Sequence, residues 1–321
     1  MIRIRPERLN LAIARQCFVA CKGCYHFFGQ SEPDLKAIEA SVARFVRLGI
    51  TSVTLSGGDP LTLGNLFEFL KSLRSIGVND IKLDTMGTSL LKLSPASSTR
   101  QIQNERLRSL LEGINYLGLP LDGGSNNSVR LFRTGRPQIY DETVELLDAI
   151  DRHADRRLIV INTVVHRLNL GELLKILEEV SRHSAITHWN LFQYTPTDQV
   201  AEQVNRKFAI DERTFLHTCA GVLRAADNLS QERKWFGIDV QTIRSRLGQY
   251  LLINSDGESW LPDQHGHTVG LGPIAGHEEA VLTAWADAVF RIRSTAGLEE
   301  SSLRPTITMW LPWEGDFPAV A

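Results

Sequence analysis

The chain has 321 residues, with 35 Lys and Arg against 37 Asp and Glu, for a formal net charge of −2. That length is ample for a sizeable core, as one large α/β domain or one domain plus an extension. Balanced charge with no basic tail lacks the electrostatic footprint of a nucleic-acid binder. No uninterrupted apolar run is long enough to span a bilayer, and Met1-Ile2-Arg3-Ile4-Arg5-Pro6 lacks the apolar stretch of a signal peptide, so a cytoplasmic location is expected.

Strand-like and helix-like segments alternate from the start. Leu9–Ala14 reads as a first strand, and Ile38, Val42, Phe45 and Val46 then recur at i, i+4, i+7 and i+8 on one helix face. Ser52–Leu55 is a short second strand, and Leu66, Phe69, Leu70 and Leu73 stripe the next helix. Asp80–Leu83 is a third strand, followed by an irregular polar stretch over Ser94–Arg100 and a helix over Asn104–Glu112. Tyr116–Leu121 is the fourth strand and Tyr140–Ile150 its helix; Leu158–Ile161 is a continuous apolar run suited to a buried parallel strand. Asn169 is placed to cap a helix carrying Leu170, Leu173, Leu174 and Leu177, and Ile186–Tyr194 supplies the sixth strand. Six β/α units in a row predict a parallel sheet wrapped by helices.

The pattern changes after Pro196. Gln203–Ser230 reads as helical and amphipathic, and Asp256-Gly257 between two apolar segments is a strong hairpin signal. The expected organisation is a core over residues 1–200 and an extension over 201–321. The tail Trp310–Phe317 is expected to pack against the sheet, with a cover over its mouth as the alternative.

Chemistry enters with Cys17-Phe18-Val19-Ala20-Cys21-Lys22-Gly23-Cys24, a Cys-x3-Cys-x2-Cys run that leaves only Cys219 elsewhere. Few and clustered cysteines argue against a disulfide framework. Three thiolates on one short loop can hold three irons of a four-iron, four-sulfur cluster and leave the fourth iron open to a small molecule. A structural zinc loop is the alternative, but a closed zinc site wants four ligands. Cys219 is distant in sequence and His26 is poorly placed.

This spacing resembles the signature of the radical S-adenosylmethionine superfamily, whose common core is an open six-unit partial barrel. The resemblance implies one 4Fe–4S cluster held by Cys17, Cys21 and Cys24. It also implies S-adenosylmethionine on the open iron, reductively cleaved to a 5′-deoxyadenosyl radical that abstracts a substrate hydrogen. Leu55-Ser56-Gly57-Gly58-Asp59-Pro60, directly after the second strand, is similar to the family's Gly-Gly-Glu-Pro segment, which hydrogen-bonds the amino group of the methionine moiety. Paired glycines also let backbone approach a ligand with no Cβ in the way.

Further matches fall at strand ends, where parallel α/β folds bind ligands. Thr85-Met86-Gly87-Thr88 resembles the family's Thr-Asn-Gly segment; Leu121-Asp122-Gly123 with Arg133 resembles a Leu-Asp-Gly … Arg stretch of peptide- and sugar-modifying members. Asn162-Thr163-Val164-Val165 and Tyr194 end the fifth and sixth strands. By resemblance, Thr85, Asp122, Arg133, Asn162, Val164 and Tyr194 are cofactor contacts, although Asp122 as a turn cap, Arg133 in a surface ion pair and Tyr194 as core are equally open. The residue before the third cysteine is usually aromatic in the family; here it is Gly23, so Tyr25 or Tyr194 is expected to pack on adenine. Cys24-Tyr25 after Gly23 also resembles the activases of anaerobic ribonucleotide reductase, which are much shorter chains.

The extension resembles the β-hairpin region of cysteine-rich extensions on many superfamily members, yet contains no cysteine beyond Cys219, so a single cluster is expected. His265 and His267 lack a third ligand and read as polar turn residues. The favoured expectation is natural-product tailoring of a small polar substrate (a sugar, aminocyclitol or nucleoside). The outcome would be dehydration or epimerisation, with a flavodoxin- or ferredoxin-type electron donor. Asp122 or Tyr194 could then act as general acid, and Cys219 as hydrogen donor or as a buried apolar residue. The alternatives are a glycyl-radical activase or peptide-modifying enzyme acting on a protein or peptide partner, and a non-enzymatic iron–sulfur scaffold that leaves Gly57–Pro60 unexplained.

Overall fold

The computed structural model describes residues 4–24, 34–93, 100–153, 158–230, 236–298 and 307–309. Tyr25, His26, residues 94–99 of the polar stretch and Trp310–Phe317 lie outside the described residues.

Six strand–helix units follow one another: β1 (Leu9–Ala14), α1 (Leu35–Arg47), β2 (Ser52–Gly57), α2 (Leu66–Ser75), β3 (Asp80–Asp84), α3 (Asn104–Gly113), β4 (Tyr116–Pro120), α4 (Ile139–His153), β5 (Ile159–Val165), α5 (Leu173–Val180) and β6 (Ile186–Gln193). Then come α6 (Glu202–Phe208), α7 (Glu212–Ser230), β7 (Gly237–Gln241), β8 (Leu251–Ile253), β9 (Glu258–Pro262), β10 (Thr268–Pro273), α8 (Glu278–Thr295) and β11 (Ile307–Met309). All eleven strands form one sheet in the order β10-β9-β8-β1-β2-β3-β4-β5-β6-β7-β11. The six expected parallel strands are present, and the parallel run continues to β7 beside β6 and to β8 beside β1. Strands from both sides of residue 200 therefore share one ladder. The hairpin announced by Asp256-Gly257 joins β8 to β9, with Gly257 at φ 83° in the turn.

Alternation along each strand sorts the side chains. Val53, Leu55, Ile81, Leu83, Leu117, Leu119, Ile159, Ile161, Trp189 and Leu191 are fully buried in one core cluster with helix residues such as Val42, Phe45 and Leu70. Successive side chains on a strand point to opposite faces. Thr54, Ser56, Lys82, Asp84, Asn162 and Asn190 therefore occupy the other face, which the helices do not cover. Tyr250, just ahead of β8, reaches Gln241 at the end of β7 with Oη 3.5 Å from Oε1. The two ends of the parallel run thus approach each other across this concave face.

Two local expectations need correction. Gln203–Ser230 is two helices, because Phe208 packs into an aromatic group with Tyr194 while Phe215, Cys219, Val222 and Ala226 face the main core. The turn between them is fixed by Asp211, whose carboxylate accepts from the Thr214 amide at 2.8 Å and its hydroxyl at 2.7 Å. Asn169 does not cap a helix through its side chain: its Oδ1 accepts from the His166 amide at 2.8 Å, and its Nδ2 donates to the carbonyls of Asp122 and Val164, both at 2.9 Å. The helix proper starts at Leu173, and Leu174 of the expected stripe is 57% exposed.

Candidate active site

Cys17, Cys21 and Cys24 sit on the loop leaving β1, with Cys17 exposed and the other two half-buried. A turn closes the loop, the Cys24 amide donating to the Cys21 carbonyl at 3.3 Å. Among the described residues no three His, Cys, Asp or Glu side chains converge on a point suited to one metal ion. A closed zinc site asks for four ligands around one centre. A cluster makes a different demand, since each thiolate binds a separate iron and the sulfurs need not surround one centre.

The glycine loop after β2 is built onto the approach to Cys17. Gly58 donates its amide to the Ala14 carbonyl and Asp59 to the Gln16 carbonyl, both at 2.6 Å. Gly57 has φ 118°, and a Cβ there would lie 2.5 Å from the Ala14 oxygen; on Gly58 it would lie 2.0 Å from the Gln16 oxygen. Glycine is therefore required by close passage of two backbones. Asp59 is fully buried, and its carboxylate accepts from the Leu61 amide at 3.0 Å, the Thr85 hydroxyl at 2.5 Å and the Met86 amide at 2.9 Å. Burial raises its carboxyl, and those hydrogen bonds oppose the rise. Thr85 also accepts from the Gly87 amide at 3.0 Å, so the side chains of Asp59 and Thr85 tie the end of β2 to the end of β3. Pro60 continues the loop into a short 3-10 turn, Pro60–Thr62, with Asp59 at its N-cap.

Asp122 and Arg133 form the second tie. Asp122 is fully buried, one carboxylate oxygen accepting from the Val164 amide at 2.7 Å and the other from Arg133 Nε. The guanidinium also donates Nη1 to the Cys21 sulfur at 3.0 Å, and the carboxylate beside it keeps it charged. Backbone pairing reinforces the contact: Ala20–Cys21 runs antiparallel to Arg133–Thr134. Arg133 is thus neither a surface residue nor a partner of exposed acid. With both carboxylate oxygens engaged, Asp122 is placed to orient Arg133 and the end of β5, a different task from the general acid expected of it.

Tyr194 is 2% exposed, and its hydroxyl donates to Asn205 Oδ1 at 2.8 Å. Its ring lies edge-on to Phe132 at 6.1 Å between centroids, with Phe208 at 5.9 Å. Burial pushes its hydroxyl up to about 12. This group lies directly on the cysteine loop, for a Cβ on Gly23 would meet Tyr194 Cε2 at 2.5 Å. His166, just past β5, is fully buried within ring contact of Phe132 and Phe208. Its Nδ1 accepts from the Leu168 amide at 3.2 Å, its Nε2 has no hydrogen-bond partner, and burial lowers its pKa to about 4.

A polar ladder crosses the concave face. Lys82 Nζ lies 3.0 Å from Asp84 Oδ1, Asn162 Nδ2 donates to the same oxygen at 3.2 Å, and Asn190 Nδ2 donates to Asn162 Oδ1 at 2.9 Å. Gly118 makes room, because a Cβ there would lie 1.7 Å from Asp84 Oδ1. Asn10 Nδ2 and Asp239 Oδ1 are buried without a hydrogen-bond partner. Both Asn162 amide atoms are engaged in this ladder, whereas Val164 contributes its backbone amide to Asp122. Lys82, Asp84 and Asn190 escaped the sequence reading, as did His166. The available signal was the polar residue at every second place in Asp80–Asp84, which marks a face not covered by helices.

Cys219 stands apart. It is 1% exposed in the main core cluster, and burial pushes its thiol up to about 12. The aromatic group containing Tyr194 is separate from that cluster.

No helix among the described residues is long and apolar enough to cross a membrane. Among curated proteins, the chain is 33% identical over 186 residues to the GTP 3',8-cyclase of Xanthomonas axonopodis pv. citri, covering 54% of this chain and 52% of that one. It is 27% identical over 216 residues to the AdoMet-dependent heme synthase of Methanosarcina barkeri, covering 66% and 57%. The chain therefore spans between half and three-fifths of the length of these relatives. Among solved structures, anSMEcpe with bound AdoMet and Cp18Cys peptide superposes with TM-score 0.61 over 92% of this chain and 84% of that one, at 15% identity. Streptococcus suis SuiB bound to S-adenosylmethionine gives 0.59 over 79% and 60%, at 14% identity. Both share the fold, a mostly parallel partial barrel. The family description "Radical SAM superfamily" matches residues 11–180, and the chain belongs to that superfamily.

Proposed function

We propose that Cys17, Cys21 and Cys24 hold the 4Fe–4S cluster and that the enzyme acts on a small polar substrate, of nucleoside or sugar type, bound against the concave face. The carrying observation is the Lys82–Asp84–Asn162–Asn190 ladder, which lines the face beneath the cofactor loops with fixed donors and acceptors. A polyhydroxylated or aminated molecule can exchange hydrogen bonds with this partly exposed row of donors and acceptors. Relatives named GTP 3',8-cyclase favour the nucleoside-type member of the set over a sugar or aminocyclitol.

When bound, the cluster and S-adenosylmethionine supply one-electron chemistry that removes a substrate hydrogen atom. The chain's own residues prepare that event. Arg133 donates to the Cys21 sulfur and so positions that ligand, and Asp122 holds Arg133 in place. Asp59 and Thr85 fix the glycine loop, the segment that would hold the methionine moiety of S-adenosylmethionine. Cys219, buried in the core, is not placed to return hydrogen, which favours elimination or a related rearrangement over epimerisation.

The test is anaerobic reconstitution followed by a panel of nucleosides, nucleotides, amino sugars and short peptides. The proposal expects a polar small molecule to raise 5′-deoxyadenosine above background and to transfer deuterium into it from the labelled substrate. Stimulation by peptides alone would replace it with the peptide-modifying alternative.

A further inference from the structure

The hydrogen-bond ladder on the concave face has a direction, forced from its head. The Asp84 carboxylate accepts, so Asn162 must turn its Nδ2 toward it, at 3.2 Å. That leaves Asn162 Oδ1 facing β6, where Asn190 donates its own Nδ2 at 2.9 Å. Asn190 is then left with its side-chain oxygen as the end of the row. Each amide in the ladder thus presents its acceptor side toward β7.

The next residue in that row is another acceptor. Asn190 on β6 is in register with Asp239 on β7, and neighbouring strands run about 4.8 Å apart. Ile238 and Val240 of β7 are buried in the main core, which puts Asp239 on the concave face beside Asn190. Asp84 is engaged by Lys82 and Asn162, whereas Asp239 Oδ1 has no hydrogen-bond partner. His188, on the same face of β6, feels the Asp239 charge, yet burial outweighs it and lowers the imidazole pKa, so the ring does not neutralise the carboxylate. An amide oxygen and a carboxylate therefore stand side by side without a matching donor, and an unsatisfied acceptor costs free energy until one reaches it.

We infer that Asn190 and Asp239 form a subsite for a primary amino group of the substrate, an inference that rests on the concave-face reading above. A hydroxyl has one hydrogen and satisfies one of the two oxygens. An amino group brings two, or three with a positive charge when protonated, and can bridge both. A carbonyl in the same place would set a third acceptor against the carboxylate. The exocyclic amine of a nucleobase and the amine of an amino sugar share this chemistry.

The experiment is equilibrium dialysis on anaerobically reconstituted holoenzyme with S-adenosylmethionine and no reductant, so that binding is read without turnover. Two matched pairs are the probes: cytidine against uridine, and glucosamine against glucose. The amino member of one pair is expected to bind about tenfold more tightly than its partner. The pair that shows the preference identifies the source of the amine. Asp239→Asn keeps the side chain's size, removes its charge and adds a donor, and should abolish that preference. Equal binding within both pairs would overturn the amino subsite and leave the concave-face reading standing. A preference that survives Asp239→Asn would also overturn it, placing the amine elsewhere. Binding of none of the four probes would remove the concave-face reading, and the subsite with it.

Discussion

A Cβ on Gly23 would lie 2.5 Å from Cε2 of Tyr194 and 2.8 Å from Cε2 of Phe132. The glycine before the third cysteine is therefore a packing requirement: the end of β6 delivers an aromatic ring to the loop, and no second side chain fits. Gly23→Ala is expected to destabilise the protein by about 1–3 kcal/mol through overpacking. Because Tyr194 is the obstacle, Tyr194→Ala should be partly compensatory in that background, and the double variant should be more stable than the two single losses added. Thermal unfolding of the four proteins measures this, and strict additivity would show that the loop relaxes away from the ring.

Replacing Cys17, Cys21 or Cys24 with Ala should abolish both the brown chromophore and cleavage of S-adenosylmethionine. Wild-type protein reconstituted anaerobically should hold about four irons, because thiolate ligands for a second cluster are lacking. Full iron retention in any single variant would remove that cysteine from the ligand set, and a reproducible doubling of iron would reveal a second site.

Much of this was legible in the chain. Strand-period and helix-period apolar patterns place β1 through β6 because the outer face of the sheet is buried under helices, and the boundaries of β1 coincide at Leu9–Ala14. The continuation through β7 and β8 was hidden, since Leu251–Ile253 is only three residues long and pairs with a strand more than two hundred residues earlier. Motifs located Asp59, Asp122 and Arg133 but not their partners: whether a carboxylate faces a ligand or a neighbouring amide is decided by tertiary contacts such as Asp59 with Thr85 and Asp122 with Val164.

His166 gives the fold a pH dependence of known sign. Burial lowers its pKa to about 4 in the folded chain, against 6.5 when solvated. The unfolded state therefore binds the proton first, and the stability this ring contributes is intact above pH 6.5 and lost as pH falls toward 4. The full effect is of order 3 kcal/mol. His183, raised by Asp151 and Glu179, acts oppositely, its contribution being lost as pH rises through its folded value. Comparing wild type with His166→Gln isolates the first effect. Denaturation midpoints should converge at acid pH, and parallel profiles would show that His166 titrates normally.

Asp84 is the acceptor on which the concave-face ladder ends, taking Lys82 and Asn162 on one oxygen. Asp84→Ala should leave background cleavage of S-adenosylmethionine intact, since its carboxylate is bonded to Lys82 and Asn162 and not to Asp59 or Arg133. Substrate-dependent 5′-deoxyadenosine formation should fall at least tenfold, the loss expected when one charge-assisted hydrogen bond of about 1.5–3 kcal/mol is removed. Equal loss of both activities would place Asp84 in the scaffold, and no loss would move the substrate off this face.

Cys219 separates two outcomes of the chemistry. An epimerase needs a hydrogen donor on the opposite side of the substrate radical, and a thiol donor would exchange with solvent. Turnover in heavy water would then place deuterium at the inverted carbon. The structure puts Cys219 in the main core beside Phe215 and Val222 of the same helix, its thiol pushed up to about 12 by burial. Cys219→Ala should therefore cost only packing, of order 1 kcal/mol for so small a cavity, and product should still form. A variant that makes 5′-deoxyadenosine but stalls before product would reverse this assignment, because loss of a hydrogen donor leaves abstraction intact while blocking completion.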